Sequence, residues 1–290
     1  MKKFWHLIFL AIAIIVGLYL RIVNPWNDVF TWTVRLGGND PWYYFRLTDN
    51  CLHNFPNRIW FDPFTQYPYG TYTHFGPFLV YFGVILAKIA GVSDPESLRS
   101  VLAFIPAIGG ALLALPVYLF VKECFNKQAG VISALLVVII PGQLLARSIL
   151  GFNDHHIWEV FWMTVTLALY TYTINIWRND PNALKNCKKL TFAILAGISY
   201  GTYLLTWAPS FYLALFIVIY LFILMLFSRF VRADIANITY ISLIMIGIAA
   251  LLYLPFAFNY PGFSSTRYSP FQLMILVSCL VILGLFRIIE

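Results

Sequence analysis

The stretch Gly76-Pro77-Phe78-Leu79-Val80-Tyr81-Phe82-Gly83-Val84-Ile85-Leu86-Ala87-Lys88-Ile89-Ala90-Gly91 decides how this chain is threaded. It is apolar, yet it opens on a Gly-Pro pair, carries Lys88 and falls short of the roughly 20 residues a helix needs to cross a hydrocarbon core. Apolar runs of suitable length lie around it, at 4–23, 101–121, 129–146, 157–177, 190–208, 210–227, 235–256 and 270–287. The loops after the second, fourth and sixth of these carry Lys122 and Lys127, then Arg178, Lys185, Lys188 and Lys189, then Arg229 and Arg232. They fall on one side in any alternating scheme, and the positive-inside rule makes that side cytoplasmic. Lys2 and Lys3 ask for the same side. Both demands hold only if 76–91 does not cross. It then belongs to one long external segment, residues 24–100, rich in Pro, Gly, Asn and aromatics, in which short interfacial helices are expected.

Composition points the same way. Hydrophobic residues make up 61% of the chain and charged ones 11%, with a mean hydropathy of +0.78. A soluble domain carries about a quarter charged residues, so lipid must be the solvent for most of this one. The expected fold class is an all-α polytopic membrane helix bundle of about eight spans, with residues 1–290 read as a single transmembrane domain. The net charge of +7 sits largely in short internal loops, and no basic stripe with interleaved aromatics lies outside the spans, so no nucleic-acid partner is expected. The run 4–20 is too long for a signal peptide and lacks a small-residue cleavage site before Arg21, so it reads as an uncleaved first span with a cytoplasmic N-terminus. Cys51, Cys124, Cys187 and Cys279 fit no zinc spacing and imply no disulfide framework.

Two constellations carry chemistry. The first is Gly37-Gly38-Asn39-Asp40-Pro41-Trp42-Tyr43-Tyr44-Phe45-Arg46. An Asp between Gly and Pro reads either as a helix cap or turn, or as a carboxylate that ligates a divalent cation or accepts a substrate hydrogen bond. The second is Arg147-Ser148-Ile149-Leu150-Gly151-Phe152-Asn153-Asp154-His155-His156-Ile157-Trp158-Glu159, between two spans at the external mouth. Asp154 there is either a cap for the next helix or, with His156, part of a metal site. Carboxylate oxygen and neutral imidazole together suit Mn²⁺ or a similar ion better than Ca²⁺. His155 would stand behind such a site or outside it. Arg147 ends an apolar helix, where it either snorkels to the headgroups or forks onto phosphate oxygens. Asp62 and His74 read either as contributors to a site or, the stronger reading, as structural, and the Trp207-Ala208-Pro209 turn and the loop 259–269 read as helix ends and turns.

At these residues the chain resembles the catalytic subunit of oligosaccharyltransferase, most closely the archaeal form. The resemblance rests on Gly38-Asn39-Asp40-Pro41, on Phe55-Pro56, Phe61-Asp62-Pro63 and Pro68-Tyr69-Gly70, and on 147–156, with Arg147 seven residues before Asp154. The run Asp154-His155-His156 is the archaeal version of the second motif. The resemblance implies a GT-C-like glycosyltransferase architecture. The implied activity is metal-dependent, inverting transfer of an oligosaccharide from a dolichol phosphate or pyrophosphate carrier to Asn of Asn-x-Ser/Thr in an acceptor polypeptide. It implies Asp40 as catalytic residue, Asp40, Asp154 and His156 as ligands of Mn²⁺ or Mg²⁺, and Arg147 as the donor-phosphate residue. His155, Tyr44 and Glu159 are weaker candidates. The partners are a lipid-linked oligosaccharide, an acceptor polypeptide and membrane lipids, and the active site faces outward from a multi-pass cell-membrane protein.

The departures are specific. Tyr44 stands where the family often has His. A later external loop with an acceptor-gripping Glu is missing, and so is a soluble C-terminal domain with a Trp-Trp-Asp motif. The 290 residues therefore read as a fragment of a longer protein or a shortened paralogue. Two other readings stay open: a polyprenyl-phosphate-sugar transferase of the same architecture, and a non-catalytic glycolipid-binding paralogue.

Overall fold

Helices dominate the computed structural model, which describes residues 4–179, 187–227 and 235–289. Lys2, Lys3, Lys185, Arg229 and Arg232, on which the side assignment leaned, lie outside the described residues, as do the side chains of Arg178, Lys188 and Lys189. The chain forms two compact units, residues 1–164 and 165–290.

The first unit contains α1 (Trp5–Ile22), α2 (Trp26–Val29), α3 (Asn39–Asn54), β1 (Phe61–Asp62), β2 (Thr71–Tyr72), α4 (Pro77–Ala90), α5 (Pro95–Leu112), α6 (Ala114–Cys124), α7 (Lys127–Ile139) and α8 (Gln143–Ala146). It ends in the first turns of α9 (His156–Asn179), which runs on into the second unit. α5 starts earlier than its apolar run. Asp94 caps it, accepting from the Glu96 and Ser97 N–H groups at 3.1 and 2.9 Å, with Pro95 as the first helical residue. The step from α5 to α6 at Leu113 comes where Pro116 has no N–H to offer the Leu112 carbonyl. The run expected over 129–146 is cut the same way: α7 stops at Ile139, because Pro141 pushes Ile140 out of the helical region into extended backbone.

Among the described residues, five helical lengths are long and apolar enough to cross a membrane: Trp5–Val29, Pro95–Cys124, Ala208–Leu226, Ile235–Phe256 and Pro270–Ile288. Of the other expected spans, two appear as the shorter apolar helices Lys127–Ile139 and Leu190–Thr206. The third is α9, 24 residues long but interspersed with Glu159, four threonines and Asn175. The deciding stretch folds as α4, 14 residues or about 21 Å of helix, against a hydrocarbon core of about 30 Å. Leu79, Val80, Val84 and Ala87 of α4 are buried in a cluster with Leu47 and Cys51 of α3 and Leu98 and Leu102 of α5.

Residues 24–100 hold the short helices α2, α3 and α4 and, beside them, a small ribbon. β1 and β2 pair antiparallel, Phe61 opposite Tyr72 and Asp62 opposite Thr71. Pro56, Pro63 and Pro68 deny this stretch the N–H groups that a helix would need. Asp62 holds the ribbon to α3. Its buried carboxylate accepts from Arg46 (2.6 and 3.0 Å), Tyr43 (2.9 Å), Thr65 (3.0 Å) and the Phe64 N–H (3.0 Å). The structural reading of Asp62 is the one this geometry supports.

The second unit packs α10 (Cys187–Thr206) against α12 (Ile235–Tyr253), and α12 against α11 (Tyr212–Leu226) and α13 (Pro270–Ile289). Its loop before α13 is folded around Gln272. That buried amide donates to the carbonyls of Ser264, Ser265 and Arg267 (3.0, 3.2 and 2.8 Å) and accepts from Tyr253 and Ser269 at 3.0 Å each.

Candidate metal centre

After α8 the chain leaves the helical path for residues 148–155, and three neighbours fix its course. Leu150 N–H donates to the Arg21 carbonyl (2.9 Å), Gly151 N–H to the Ala103 carbonyl (2.9 Å), and Gly37 N–H to the Gly151 carbonyl (3.0 Å). Gly151 is required here: its φ is +82°, and a Cβ would fall 2.8 Å from Val29 Cγ2. Beneath the segment the fully buried Arg21 of α1 donates from Nε to Ser148 Oγ (2.9 Å). Its Nη1 donates to the carbonyls of Val138 (2.8 Å) and Gly17 (3.2 Å). Sequence reasoning gave Arg21 no such role. The available signal was a charge closing an apolar run, which is costly in a membrane unless it has partners.

Asp154, His155 and His156 offer ligand atoms that all lie within 4.8 Å of one another, a group that could hold a metal ion. Asp154 is 1% exposed. Its Oδ1 accepts from the His155 N–H at 2.6 Å and lies 2.5 Å from His155 Nδ1. No capping bond to Ile157 or Trp158 N–H is present, so the carboxylate is not spent on the helix start. The other oxygen, Oδ2, is buried without a hydrogen bond and lies 3.2 Å from His156 Nε2. Two ligand atoms each about 2.1–2.2 Å from one ion, at right angles, stand about 3.0–3.1 Å apart. The orphaned oxygen and its imidazole neighbour therefore fit adjacent positions around a divalent cation.

Burial alone would raise the Asp154 carboxyl, but the hydrogen bond and charge of His155, with His156 beside it, outweigh burial and hold the group below its usual range. Burial pulls the His155 ring down, and its contacts with Asp154 and Glu159 outweigh that, pushing it up to about 9. Arg147 does not stand free toward the headgroups. Its Nε donates to Gln143 Oε1 at 2.8 Å and its Nη1 meets His156 Nε2. Gln143, Arg147, His156 and Glu159, with the apolar Leu144 and Ile157, line a cavity of about 370 Å³.

Asp40 is not one of the residues of the Asp154-His155-His156 group. It occupies the first turn of α3, which Gly38 begins at φ +81°, and its exposed carboxylate makes no hydrogen bond among the described residues. The capping alternative is thus not the one seen. One helical turn on, the buried Tyr44 ring lies 6.1 Å from the His155 ring, centroid to centroid, so α3 runs beside the second motif.

Comparison with known proteins agrees with this architecture. Residues 9–290 match the family model described as oligosaccharyl transferase STT3, N-terminal. The chain is 54% identical over its whole length to dolichyl-phosphooligosaccharide-protein glycotransferase 3 of Archaeoglobus fulgidus, covering 33% of that protein. It superposes on the A. fulgidus oligosaccharyltransferase AglB solved with an inhibitory peptide and a dolichol-phosphate, with a TM-score of 0.97 at 54% identity, over 100% of this chain and 33% of that one. A structure of the A. fulgidus oligosaccharyltransferase with zinc and sulfate matches with a TM-score of 0.94 at 54% identity, over 97% of this chain and 35% of that one. The chain spans about a third of the length of these relatives. It is a multi-pass membrane protein, and it belongs to the oligosaccharyl transferase STT3 family, whose N-terminal part it matches.

Proposed function

We propose that this chain carries the donor and metal half of a site that transfers an oligosaccharide from a dolichol phosphate or pyrophosphate carrier to the Asn of an Asn-x-Ser/Thr sequon. The carrying observation is the buried, unbonded Asp154 Oδ2 lying 3.2 Å from His156 Nε2, with the Arg147 guanidinium against the same imidazole. The A. fulgidus relative solved with a dolichol-phosphate and a peptide supports the substrate classes.

In this reading Asp154 and His156 hold a divalent cation, Mn²⁺ or Mg²⁺, with Asp40 as a further ligand. A cation bound there supplies Lewis acidity that offsets charge on the leaving phosphate. Arg147 forks onto the phosphate oxygens, and Gln143 keeps the guanidinium aimed along the cavity. Asp40 accepts a hydrogen bond from the acceptor amide, drawing its nitrogen out of conjugation so that it attacks the sugar carbon with inversion. The carbon–oxygen bond to the phosphate breaks as the carbon–nitrogen bond forms, the phosphate leaves with the electron pair, and one amide proton passes to the Asp40 carboxylate. The site faces outward and the N-terminus inward. Support comes from the loop charges and from an α4 too short to cross along the membrane normal.

The test is glycosylation of an Asn-x-Thr peptide by the full-length protein with a lipid-linked oligosaccharide and Mn²⁺. Activity should vanish with EDTA and fall at least 100-fold in Asp40→Ala and Asp154→Ala, on the order of an electrostatic catalytic group. Undiminished transfer by both variants would falsify the site.

A further inference from the structure

Glu159 stands behind the candidate ligands. One oxygen of its carboxylate, Oε1, is buried and lies 2.9 Å from His155 Nε2 and 3.5 Å from His156 Nδ1, close to both rings though in hydrogen-bond geometry with neither. The sequence builds this in, since the histidines precede Glu159 by four and three residues, the separations that face one another on a helix. The other nitrogen of each ring is turned to Asp154. His155 Nδ1 lies 2.5 Å from Oδ1 and His156 Nε2 lies 3.2 Å from Oδ2. The tautomer of His156 follows from its neighbour. Arginine only donates, so Nε2 accepts from Arg147, and the ring proton is on Nδ1, facing Glu159.

We propose that Glu159 is the positioning carboxylate of this metal site. It holds His156 in the Nδ1–H tautomer that leaves Nε2 to a cation, and through His155 it fixes Asp154 so that Oδ2 is the oxygen left for the same cation. This rests on the reading of Asp154 and His156 as ligands. A single oxygen serves both rings, so both ligand-bearing side chains lose their orientation if it is removed. A histidine ligand whose second N–H is held by a carboxylate is fixed in tautomer and made more basic, and loss of such a partner costs about 10–100-fold in metal affinity. A glutamate with only 18% of its side chain exposed, one turn into α9, is costly unless it has such partners.

The experiment is a Mn²⁺ titration of the detergent-solubilised full chain, read by electron paramagnetic resonance, with spin-echo detection of nitrogen coupling to bound Mn²⁺. Glu159→Gln keeps the shape and should weaken Mn²⁺ about 10-fold; Glu159→Ala should approach 100-fold. The nitrogen coupling from His156 should weaken in both variants and persist in the unsubstituted chain. A merely structural glutamate would shift the unfolding temperature without changing that coupling. If Glu159→Ala fails to fold, the isosteric Glu159→Gln carries the comparison. Unchanged affinity and coupling in the Glu159 variants, beside lost binding in Asp154→Ala, overturns the role of Glu159 and leaves the metal reading intact. Mn²⁺ binding that is absent, or indifferent to Asp154→Ala, overturns both.

Discussion

The Gly37 N–H donates to the Gly151 carbonyl across 3.0 Å, and this one bond joins the two acidic motifs through their backbones. Three residues beyond each glycine stands the acid of its motif, Asp40 on one strand of chain and Asp154 on the other. Relative placement of the two carboxylates therefore depends on backbone geometry at the glycines rather than on contact between the acids themselves.

Gly151→Ala should be damaging and Gly37→Ala mild. The first forces a side chain into a positive-φ position and into Val29; the second places a Cβ 3.6 Å from Phe152, an ordinary contact. The left-handed backbone alone costs about 1–2 kcal/mol. Thermal unfolding should show a loss of at least that size for Gly151→Ala and under about 1 kcal/mol for Gly37→Ala. Equal losses would mean that this loop is free to re-route.

Arg147 should separate donor binding from metal binding. Arg147→Lys keeps the charge and loses the fork, so dolichol-phosphate affinity should fall about 10-fold, the scale of one charge-assisted hydrogen bond. Mn²⁺ affinity should hold steady or rise in Arg147→Ala, because the guanidinium no longer competes for His156 Nε2. Parallel calorimetric titrations with each ligand check this. A matched loss of both would mean that Arg147 acts by holding the His156 ring in place for the cation rather than on the phosphate.

Asp62 governs acid stability of the β1–β2 ribbon. Burial would raise its carboxyl, but the hydrogen bonds from Arg46, Phe64, Tyr43 and Thr65 outweigh burial and hold it below its ordinary 3.8. A depressed carboxyl stabilises the fold above its unfolded value, and that stability is lost as pH falls through the lower folded value. Hydrogen exchange at residues 61–72 should therefore accelerate as pH drops below about 3.8. Asp62→Asn should cost about 2–3 kcal/mol at neutral pH, the scale of charge-assisted hydrogen bonds, and should remove this acid step.

Gln272→Leu tests the second unit. The leucine is similar in size, but it takes the amide donor from the Ser265 and Arg267 carbonyls, while Tyr253 keeps the Ser269 carbonyl (3.2 Å) and Ser269 the Ser264 carbonyl (2.8 Å). Each buried group left unpaired costs about 1–3 kcal/mol. A loss of several kcal/mol is expected, with faster proteolysis in the loop 259–269. Wild-type stability in this variant would show that water replaces the glutamine without loss.

What was legible beforehand follows from range. Helix positions could be read because apolar runs are local, and the misjudged ends at Pro95 and Ile139 have local causes, Asp94 with Pro95 and Pro141, that hydropathy alone passes over. Asp154, His155, His156 and Glu159 were legible because one turn of chain carries them all. The ribbon and the Asp62 hub were not, since their partners, Arg46 and Tyr43 among them, come from a helix one loop away. Arg21 and the Gly37–Gly151 bond were invisible for the same reason at greater distance. Backbone hydrogen bonds between remote segments leave no trace in residue type, beyond a glycine whose reason is missing.

Arg21 bears on how the protein is made. Its partners Val138 and Ser148 lie 117 and 127 residues downstream, so α1 leaves the ribosome and meets the bilayer well before they exist. During that interval the guanidinium has to stay at the aqueous edge, because lipid offers it nothing. The first helix can settle to its final depth only when the loop carrying Asp154 arrives to receive the charge. Completion of the loop carrying Asp154 and final seating of the first helix are thus one event in biogenesis, and a nascent chain released before residue 148 would leave both undone.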